Sequence, residues 1–518
     1  MTYPRSYNAA TDLVDRNIAE GRGDKPAFID GAETLTYAGL ARRCNQMGNL
    51  LAAYGLQRES RIALLLLDTV DFPVAFLGAI KAGVVPVALN TLLTTEQYRY
   101  ILSDSRARAL FVSAPLLPIV QPLLGELPFL THVFVAGGRP PPFALAFREE
   151  LDAQSPDFAA ADTCADEIAF WLYSSGSTGM PKGARHVHTS MMETARLYGQ
   201  AVAGFREDDI VYSAAKLFFA YGLGNALSFP LSVGATTILL PERPTPDSVR
   251  RVLAQHRPTV FCAVPTLYAA MLSDPKLSPQ TTSDRIRLCI SAGEALPEAV
   301  GVEWTKRFAV DILDGVGSTE MLHIYLSNRP GDVRYGTSGK PIAGYDIRLV
   351  DETDADVPPG EVGEVLVRGT TAADGYWNQR ERSRRTFVGE WMRTGDKYIR
   401  DEDGYYTYQG RTDDMFKVSG IWVSPFEVES ALVGHDAILE AAVVPHEDGE
   451  GLLKPKAFIV LKPGHAADDT LIGALQERVK AVAGPWKYPR WIEVAEQLPK
   501  TATGKIQRFK LRQPSGAA

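Results

Sequence analysis

The segment YSSGSTGMPKG, residues 173–183, has the composition of a loop that binds phosphate. Small residues let backbone N–H groups approach an anion closely, hydroxyl groups add donors, and a lysine supplies a point charge for a polyphosphate. The apolar run at residues 168–172 predicts a buried strand directly before it. A strand followed by such a loop is a phosphate-binding context. The residues that we expect to hold phosphate groups are Ser174, Ser175, Gly176, Ser177, Thr178 and Lys182.

Neither of the two best-known phosphate motifs accounts for this segment. A Walker A loop ends in Gly-Lys-Ser/Thr, whereas here Lys182 follows Pro181 and precedes Gly183. The G-x-G-x-x-G pattern of dinucleotide-binding folds is absent from it. Taken alone, a Gly/Ser-rich surface turn therefore stays open as an alternative.

Apolar runs along the chain alternate between lengths typical of strands and of helices. This alternation predicts parallel sheets with helices on both faces, in which ligand sites gather at the carboxyl ends of the strands. The predicted strands of this region are residues 62–67, 84–89, 109–112, 133–135, 209–214, 236–240, 259–263, 286–292 and 310–315. The predicted helices are residues 73–82, 190–200, 248–255 and 267–272.

The character of the sequence changes twice in its last third. After about residue 339, frequent turns and two strand-like runs predict a small β-subdomain. After residue 412, the order strand, helix, strand, strand, helix, strand predicts a separate α+β domain. The predicted fold class is therefore α/β, with a large N-terminal domain at residues 1–412 and a smaller domain at residues 413–518.

Composition argues against several classes of protein. With 518 residues the chain exceeds a single core, and its 45% hydrophobic and 22% charged residues are ordinary for a soluble globular protein. A net charge of -8 and the lack of a basic run argue against nucleic acid or an anionic membrane as partner. The four cysteines have no metal-ligand spacing and the amino terminus has no signal-peptide pattern, so a reducing cytoplasm is expected.

Five further motifs follow the phosphate-type segment in order. Each alone is compatible with a plain turn or a solvated terminus, but the ordered set is hard to obtain by accident. The motifs are AGEA at residues 292–295, DGVGSTE at 314–320, RTGD at 393–396, GRTDD at 410–414 and PKTATGK at 499–505.

This ordered set resembles the adenylate-forming superfamily, which contains acyl- and aryl-CoA synthetases, luciferases and the adenylation domains of peptide synthetases. The resemblance covers essentially the whole chain. More narrowly, several segments resemble the benzoate-CoA ligase group. They are AFWLYSSGSTG (169–179), AKLFFAYGLGNALSFP (215–230), GSTEMLHIYLSN (317–328), GRTDDMFKVSGIWVSPFEVE (410–429) and LPKTATGKIQRFKLR (498–512).

The resemblance implies a two-step reaction that uses ATP, Mg²⁺ and coenzyme A. An aromatic carboxylate first attacks the α-phosphate of ATP, giving an aryl-adenylate and pyrophosphate. The thiol of coenzyme A then takes the aryl group and releases AMP. Catalysis of phosphoryl transfer depends mainly on positioning the reactants and neutralising charge. The hydroxyl, glycine, lysine and carboxylate residues of the motifs are suited to both tasks. The resemblance also implies that residues 413–518 are a mobile domain with its hinge at Asp413.

Roles at the nucleotide follow from the same resemblance. Thr319 is expected to bond the α-phosphate and Glu320 to help place Mg²⁺, which prefers oxygen ligands. Asp396 is expected to accept hydrogen bonds from the ribose hydroxyls, with Arg411 nearby. Asp314 is expected near the exocyclic amine of adenine. The residues expected against adenine are Gly293, Glu294, Ala295, Asp314, Gly315 and Val316.

The predicted catalytic residues are Lys505, Thr319 and Glu320. Lys505 is the first of them, since a cation between the carboxylate and the α-phosphate offsets the repulsion of the two anions. The resemblance also makes Lys505 a candidate for regulatory acetylation, which would remove its charge. The tunnel for the pantetheine arm of coenzyme A is expected to be lined by Ser419, Gly420 and Ile421.

The identity of the aromatic acid stays open between benzoate, 2-aminobenzoate and a hydroxybenzoate. Val264 and Leu267 are bulkier than expected for a plain benzoate enzyme. His323 either borders the aromatic ring or packs beneath its own loop, while His186 and His188 are expected to be structural. The expected pocket residues are Ala220, Tyr221, Gly222, Ser291, Ala292, Gly317, His323 and Ile324.

Two other functions remain alternatives to an aryl-CoA ligase. An adenylation enzyme that loads a carrier-protein thiol would share these motifs, although the short chain after Lys505 favours free coenzyme A. A non-catalytic nucleotide-binding protein would be expected to lose at least one of the charged motif residues. The expected partners are small molecules, and a homodimer stays open.

Overall fold

The computed structural model describes residues 3–176, 179–412, 414–418, 421–449, 452–500 and 506–512. Within them the chain forms two compact units. The first unit comprises the described residues up to Gly176, Met180–Asp346 and Val367–Met392. The second unit comprises Ile347–Leu366 and the described residues from Arg393 onward. The predicted boundary at residue 413 stays a prediction, because Asp413 lies outside the described residues.

An eight-stranded sheet carries the phosphate-type segment. Its central strands pair in parallel, and residues 62–65 are fully buried. Strands covered on both faces favour such continuous apolar runs over alternating ones. In spatial order the strands are Gly375–Tyr376, Gly179–Val187, Ile168–Gly176, Val85–Ala88, Arg61–Leu65, Ala109–Ser113, His132–Ala136 and Leu145–Ala146.

A nine-stranded sheet carries the motifs at residues 292–295 and 314–320. Its middle strands are parallel, and Ser291, the last residue of the strand Leu288–Ser291, lies opposite Asp314 within the strand Ile312–Gly317. Two antiparallel strands extend it beyond Gly317. In spatial order the strands are Lys340–Pro341, Ile324–Ser327, Ile312–Gly317, Leu288–Ser291, Val260–Ala263, Ile210–Ser213, Thr236–Ile238, Pro26–Ile29 and Thr34–Thr36.

Several helices of the first unit begin with a side-chain cap. Thr94 and Thr245 each form a capping box, which satisfies the free N–H groups of the first turn. The longest helix packs closely on its neighbour at Gly78, where an added Cβ would lie 2.5 Å from Met47 Cβ. The main helices are Tyr37–Ala53, Asp71–Lys81, Thr95–Ser105, Phe147–Asp152, Thr189–Thr194, Phe229–Val233, Pro246–His256, Pro265–Leu272, Glu298–Phe308 and Arg380–Thr386.

The remaining strands form three small sheets. A five-stranded sheet contains Asp346–Val350, Val362–Arg368, Phe387–Val388, Trp391–Arg400 and Tyr406–Arg411. A two-stranded sheet and a three-stranded sheet follow, with Phe416–Val418, Ile421–Val423, Ile438–Glu447, Leu453–Leu461 and Trp491–Val494. The helices of this last region are Pro425–Val433, Asp469–Ala483 and Arg508–Leu511.

The predicted α/β class with a smaller α+β region at the carboxyl end is confirmed. The strand Gly179–Val187 was not predicted, because its sequence GMPKGARHV contains neither an apolar run nor a regular alternation. Among the described helices, none is both long enough and apolar enough to cross a membrane.

Candidate active site

The phosphate-type segment connects two neighbouring strands of the eight-stranded sheet. Ser174, Ser175 and Gly176 end the strand Ile168–Gly176, and Lys182 lies within the strand Gly179–Val187. The hydroxyl oxygen of Ser174 is buried and makes no hydrogen bond to any described residue. A buried hydroxyl without a partner costs free energy unless a ligand or water supplies one.

Three side chains contact one another: Lys182, which belongs to this segment, Tyr376 and Glu320. We name them the Lys–Tyr–Glu cluster. The Lys182 ammonium lies 2.8 Å from Glu320 Oε1 and donates to the Tyr376 hydroxyl at 2.7 Å. The same hydroxyl donates to Glu320 Oε1 at 2.7 Å. Lys182 Nζ also lies 4.5 Å from the centre of the Tyr376 ring, within cation–π distance. Sequence reasoning selected Lys182 and Glu320 but missed Tyr376.

Glu320 keeps its negative charge although its side chain is buried. Burial raises the pKa of the Glu320 carboxyl, but the charge of Lys182 and the hydrogen bonds from Lys182 and Tyr376 outweigh it. The pKa of Glu320 therefore lies below its usual value. A buried carboxylate next to a half-buried ammonium group, both near a hydroxyl-rich segment, can exchange partners with a polyphosphate and its metal ion.

His186 positions the backbone of Thr319, next to Glu320. Its Nε2–H donates to the Thr319 carbonyl oxygen at 2.9 Å, and its ring stacks on Phe170. Burial lowers the pKa of His186 to about 4, so the ring is neutral at pH 7. His188 is also buried, and its Nδ1 accepts a hydrogen bond from a backbone N–H at 3.1 Å. Both histidines thus have structural contacts, and the described residues contain no metal-binding group of three or more His, Cys, Asp or Glu.

The adenine candidates lie at the adjoining strand ends of the nine-stranded sheet. Asp314 is buried, and its Oδ2 accepts a long hydrogen bond of 3.5 Å from the backbone N–H of Leu296. Burial raises the pKa of Asp314 to about 8, while the nearby Ser291 side chain and the Leu296 N–H act in the opposite direction. Gly293 has φ +97°, a conformation that favours glycine, and starts the turn through Ala295 toward Leu296. Gly315 and Val316 continue the strand beyond Asp314.

An aromatic cluster lies beside these strand ends. The Tyr221 hydroxyl contacts the carbonyl oxygens of Ile290 at 3.0 Å and Ala263 at 3.2 Å. The His323 Nε2–H donates to the Tyr221 carbonyl oxygen at 3.3 Å. The ring centre of His323 lies 4.5 Å from that of Phe229 and 5.7 Å from that of Tyr221. Of the other predicted pocket residues, Ala292 and Ile324 are buried, and Ala220 and Gly222 share the helix of Tyr221.

The imidazole ring of His323 is neutral, and its Nδ1 can accept a hydrogen bond. Burial lowers its pKa to about 3, and its Nε2 carries the proton that bonds the Tyr221 carbonyl. Its Nδ1 is buried and has no hydrogen-bond partner among the described residues. It can therefore accept a hydrogen bond from a hydroxyl or amino group.

Two glycines set the position of His323. A Cβ added at Gly317 would lie 2.4 Å from the His323 carbonyl oxygen, and one added at Gly224 would lie 2.3 Å from His323 Cδ2. Both distances are too short for a side-chain carbon. The imidazole ring is thus packed directly on the backbone of Gly224.

Replacing Gly224 with alanine should raise the KM for the aromatic acid by about tenfold, because the new methyl group must displace the His323 ring. The KM for ATP should change by less than about twofold, since the atoms nearest to a Cβ added at Gly224 belong to His323 and Phe229, which are not nucleotide candidates. Steady-state kinetics with each substrate varied in turn checks both values. Gly473→Ala is the matched control, because an added Cβ at that helical glycine meets no atom within 4 Å. Equal increases in both KM values would contradict the assignment.

The ribose candidates Asp396 and Arg411 lie in the second unit. Arg411 Nη1 donates to Asp396 Oδ1 at 2.8 Å and to the Thr394 carbonyl oxygen at 2.9 Å. The backbone N–H of Asp396 donates to the Thr394 hydroxyl at 3.0 Å. Gly395 between them has φ +71°, so the turn depends on glycine. The arrangement holds the carboxylate in a fixed orientation.

Several predicted residues lie outside the described part of the chain. Ile421 begins the strand Ile421–Val423. The predicted residues that are not described are Ser177, Thr178, Asp413, Ser419, Gly420 and Lys505.

Tyr376 could have been found only through a weak signal. It follows Gly375 and precedes Trp377 in the sequence DGYW, which predicts a turn into a short aromatic strand. Nothing in that pattern points to phosphate chemistry. Its hydroxyl reaches Lys182 across 194 positions of the chain, a contact that local spacing does not reveal.

Comparison with known proteins gives consistent results over the whole chain. The family profile of AMP-binding enzymes matches residues 15–377, and that of the AMP-binding enzyme C-terminal domain matches residues 427–505. A 4-hydroxybenzoate–CoA/benzoate–CoA ligase of Rhodopseudomonas palustris is 56% identical, covering 98% of this chain and 94% of its own. A benzoate–CoA ligase of Thauera aromatica is also 56% identical, with 98% and 96% covered. The crystal structure of the anthranilate CoA ligase AuaEII in complex with anthranoyl-AMP superposes with a TM-score of 0.94 at 44% identity, over 98% of this chain and 97% of that one.

Proposed function

The chain belongs to the family of AMP-binding enzymes, and from this premise we propose that it is an ATP-dependent aryl-CoA ligase that forms AMP. Its substrate is an aromatic carboxylic acid, which it converts through an aryl-adenylate to the coenzyme A thioester. The similarity to benzoate and anthranilate ligases over 98% of the chain supports this substrate class.

The proposal rests on one observation: the short segment of residues 314–324 contains a candidate residue for each part of an aryl-adenylate. Asp314 is the adenine candidate, Thr319 and Glu320 are the phosphate-side candidates, and His323 belongs to the aromatic cluster. One continuous stretch of backbone therefore brings the three parts of an aryl-adenylate together: base, phosphate and ring. Effective molarity gained from such placement lowers the barrier of a reaction between two bound substrates.

In the first half-reaction, the phosphate-type segment (residues 173–183) and its Lys182 bind the β- and γ-phosphates, and Thr319 binds the α-phosphate. Glu320 is a suitable oxygen ligand for Mg²⁺, which proteins usually hold with one or two carboxylates and substrate phosphates. The bound metal ion would neutralise phosphate charge. Lys505 completes the site by bridging the acid carboxylate and the α-phosphate.

Around the nucleoside, Asp396 accepts hydrogen bonds from the ribose hydroxyls while Arg411 keeps its carboxylate in place. Asp314 accepts from the exocyclic amine of adenine. In the second half-reaction, Lys505 moves away from the reacting carbonyl as the chain turns at its hinge, Asp413. The path of the pantetheine arm is then lined by Ser419, Gly420 and Ile421. Lys505 and Asp413 carry these roles on the strength of their motifs.

We propose that a hydrogen-bond donor on the ring of the acid pairs with Nδ1 of His323, which is buried and has no partner among the described residues. This pairing favours 2-aminobenzoate or a hydroxybenzoate over benzoate, which has no such donor. A buried acceptor left without a partner costs about 1–3 kcal/mol, enough for a preference of roughly tenfold or more.

The test is ATP–pyrophosphate exchange with a panel of acids: benzoate, 2-aminobenzoate, 3- and 4-hydroxybenzoate, hexanoate and malonate. We expect exchange with the aromatic acids at kcat/KM at least about tenfold above both aliphatic acids. Thioester formation on free coenzyme A, compared with a holo carrier protein, then identifies the acceptor. Exchange with hexanoate as good as with any aromatic acid, or thioester on the carrier protein alone, would overturn the proposal.

A further inference from the structure

The backbone around Tyr376 joins the two parts of the chain that carry Lys182 and Glu320. The N–H of Ala373 donates to the carbonyl oxygen of Glu320 at 2.7 Å. The N–H of Trp377 donates to the carbonyl oxygen of Gly183 at 2.9 Å, next to Lys182. Segment 373–377 therefore fixes the strand of Lys182 and the turn of Glu320 relative to each other.

The directions of the hydrogen bonds within the Lys–Tyr–Glu cluster follow from its chemistry. An ammonium group has no acceptor, so Lys182 must donate to the phenol oxygen of Tyr376. The single phenol proton then goes to Glu320. Both Lys182 and Tyr376 contact Oε1 of the carboxylate, so Oε2 carries neither of these contacts.

Contacts with neighbouring residues hold both the side chain and the backbone of Tyr376 in place. It is only 3% exposed, and its ring packs on Phe387 with the ring centres 5.5 Å apart. Its backbone N–H donates to the Ser383 hydroxyl at 3.0 Å. Burial and the Glu320 charge raise the pKa of the phenol, which therefore keeps its proton at neutral pH.

We propose that Tyr376 is a positioning residue for the polyphosphate of ATP. When ATP binds, Lys182 moves toward the phosphate oxygens and the Glu320 carboxylate moves toward the accompanying divalent cation. The Tyr376 hydroxyl keeps one hydrogen bond to each of them. This inference rests on the proposed function. Separating the half-buried Lys182 from the buried Glu320 is costly when it leaves either charge uncompensated, and the shared phenol lowers that cost.

The test is Tyr376→Phe, with two ligands compared by titration calorimetry. One ligand is ATP with Mg²⁺; the other is the benzoyl-sulfamoyl analogue of the aryl-adenylate, which has no β- or γ-phosphate. We expect the affinity for ATP with Mg²⁺ to fall by about tenfold or more, the effect of one hydrogen bond to charged groups. The affinity for the sulfamoyl analogue should stay within about twofold of the wild type.

Tyr345→Phe is the matched control, because it removes another buried tyrosine hydroxyl, one that contacts the Thr371 hydroxyl at 3.1 Å. We expect it to change neither affinity. A second check is Tyr376→Phe in a Lys182→Met background, where the substitution should have a smaller further effect on ATP affinity, because one of the two partners of the hydroxyl is already gone.

Unchanged ATP affinity in Tyr376→Phe overturns the proposal, and so does an equal loss for both ligands, which would indicate a purely structural role. Neither result depends on thioester formation. Failure of the wild-type protein to form an aryl-CoA thioester would instead overturn the proposed function, so the two failures are distinguishable.

Discussion

Replacing Lys505 with alanine is expected to lower the rate of aryl-adenylate formation by about a hundredfold to a thousandfold, the range for removal of one charge-stabilising group. The physical reason is the repulsion between the acid carboxylate and the α-phosphate, which a cation between them offsets. Thioester formation from preformed adenylate should fall by less than about threefold, because that step joins a thiol to an activated carbonyl. The selective loss distinguishes a catalytic lysine from one that merely stabilises the fold.

The two half-reactions are measured separately, by pyrophosphate exchange and by single turnover of synthetic benzoyl-adenylate with coenzyme A. Lys500→Ala is the control, since Lys500 lies five positions earlier and forms a partly exposed ion pair with Glu440 at 2.6 Å. Such a pair is worth about 1 kcal/mol or less. Equal loss in both half-reactions of Lys505→Ala would remove Lys505 from the catalytic role.

Glu320→Gln is expected to lower adenylate formation by about a hundredfold and to raise the Mg²⁺ concentration needed for half-maximal rate. The amide keeps the shape of the side chain but removes the negative charge that faces Lys182 at 2.8 Å. Lys182 would then be a half-buried cation without its counter-charge, and Mg²⁺ would lose a carboxylate ligand. Thioester formation from preformed adenylate should be far less affected.

The measurement for Glu320→Gln is pyrophosphate exchange over a Mg²⁺ titration, with thermal unfolding of the same samples. Glu193→Gln is the control, because Glu193 is also buried and ion-paired, to Arg196 at 3.0 Å. If both variants lose exchange activity and stability in parallel, the effect of Glu320 is on folding. A loss specific to Glu320, with a shifted Mg²⁺ requirement, supports the metal-side role.

Much of the fold was predictable because buried parallel strands are apolar runs with sharp ends. The run at residues 286–292 predicted the strand Leu288–Ser291, and the glycine after it marked where the chain turns into the site. The roles of Asp314 and Glu320 were instead inferred from the resemblance of the motif at residues 314–320 to a known family, and they stay predictions. Strand ends thus carry both structural and chemical information.

The parts that could not be predicted depend on contacts between distant residues. The strand Gly179–Val187 forms because its neighbours in the sheet supply partners for a sequence that lacks apolar periodicity. Tyr376 gains its role only when the fold brings it to Lys182. The same holds for His323: the choice between a ring-bordering and a packing role depends on its burial and on which nitrogen bonds Tyr221.

The Tyr221 phenol has a consequence for the length of acid that the protein can accept. Its hydroxyl is anchored to the carbonyl oxygens of Ile290 and Ala263, at the ends of two adjacent strands. The ring therefore cannot rotate aside without giving up a hydrogen bond to the main chain. On the proposed function, the depth of the acid pocket is then set by the main chain and not by a mobile side chain. On the proposed function, an attempt to extend the range toward long aliphatic acids has to begin at Tyr221.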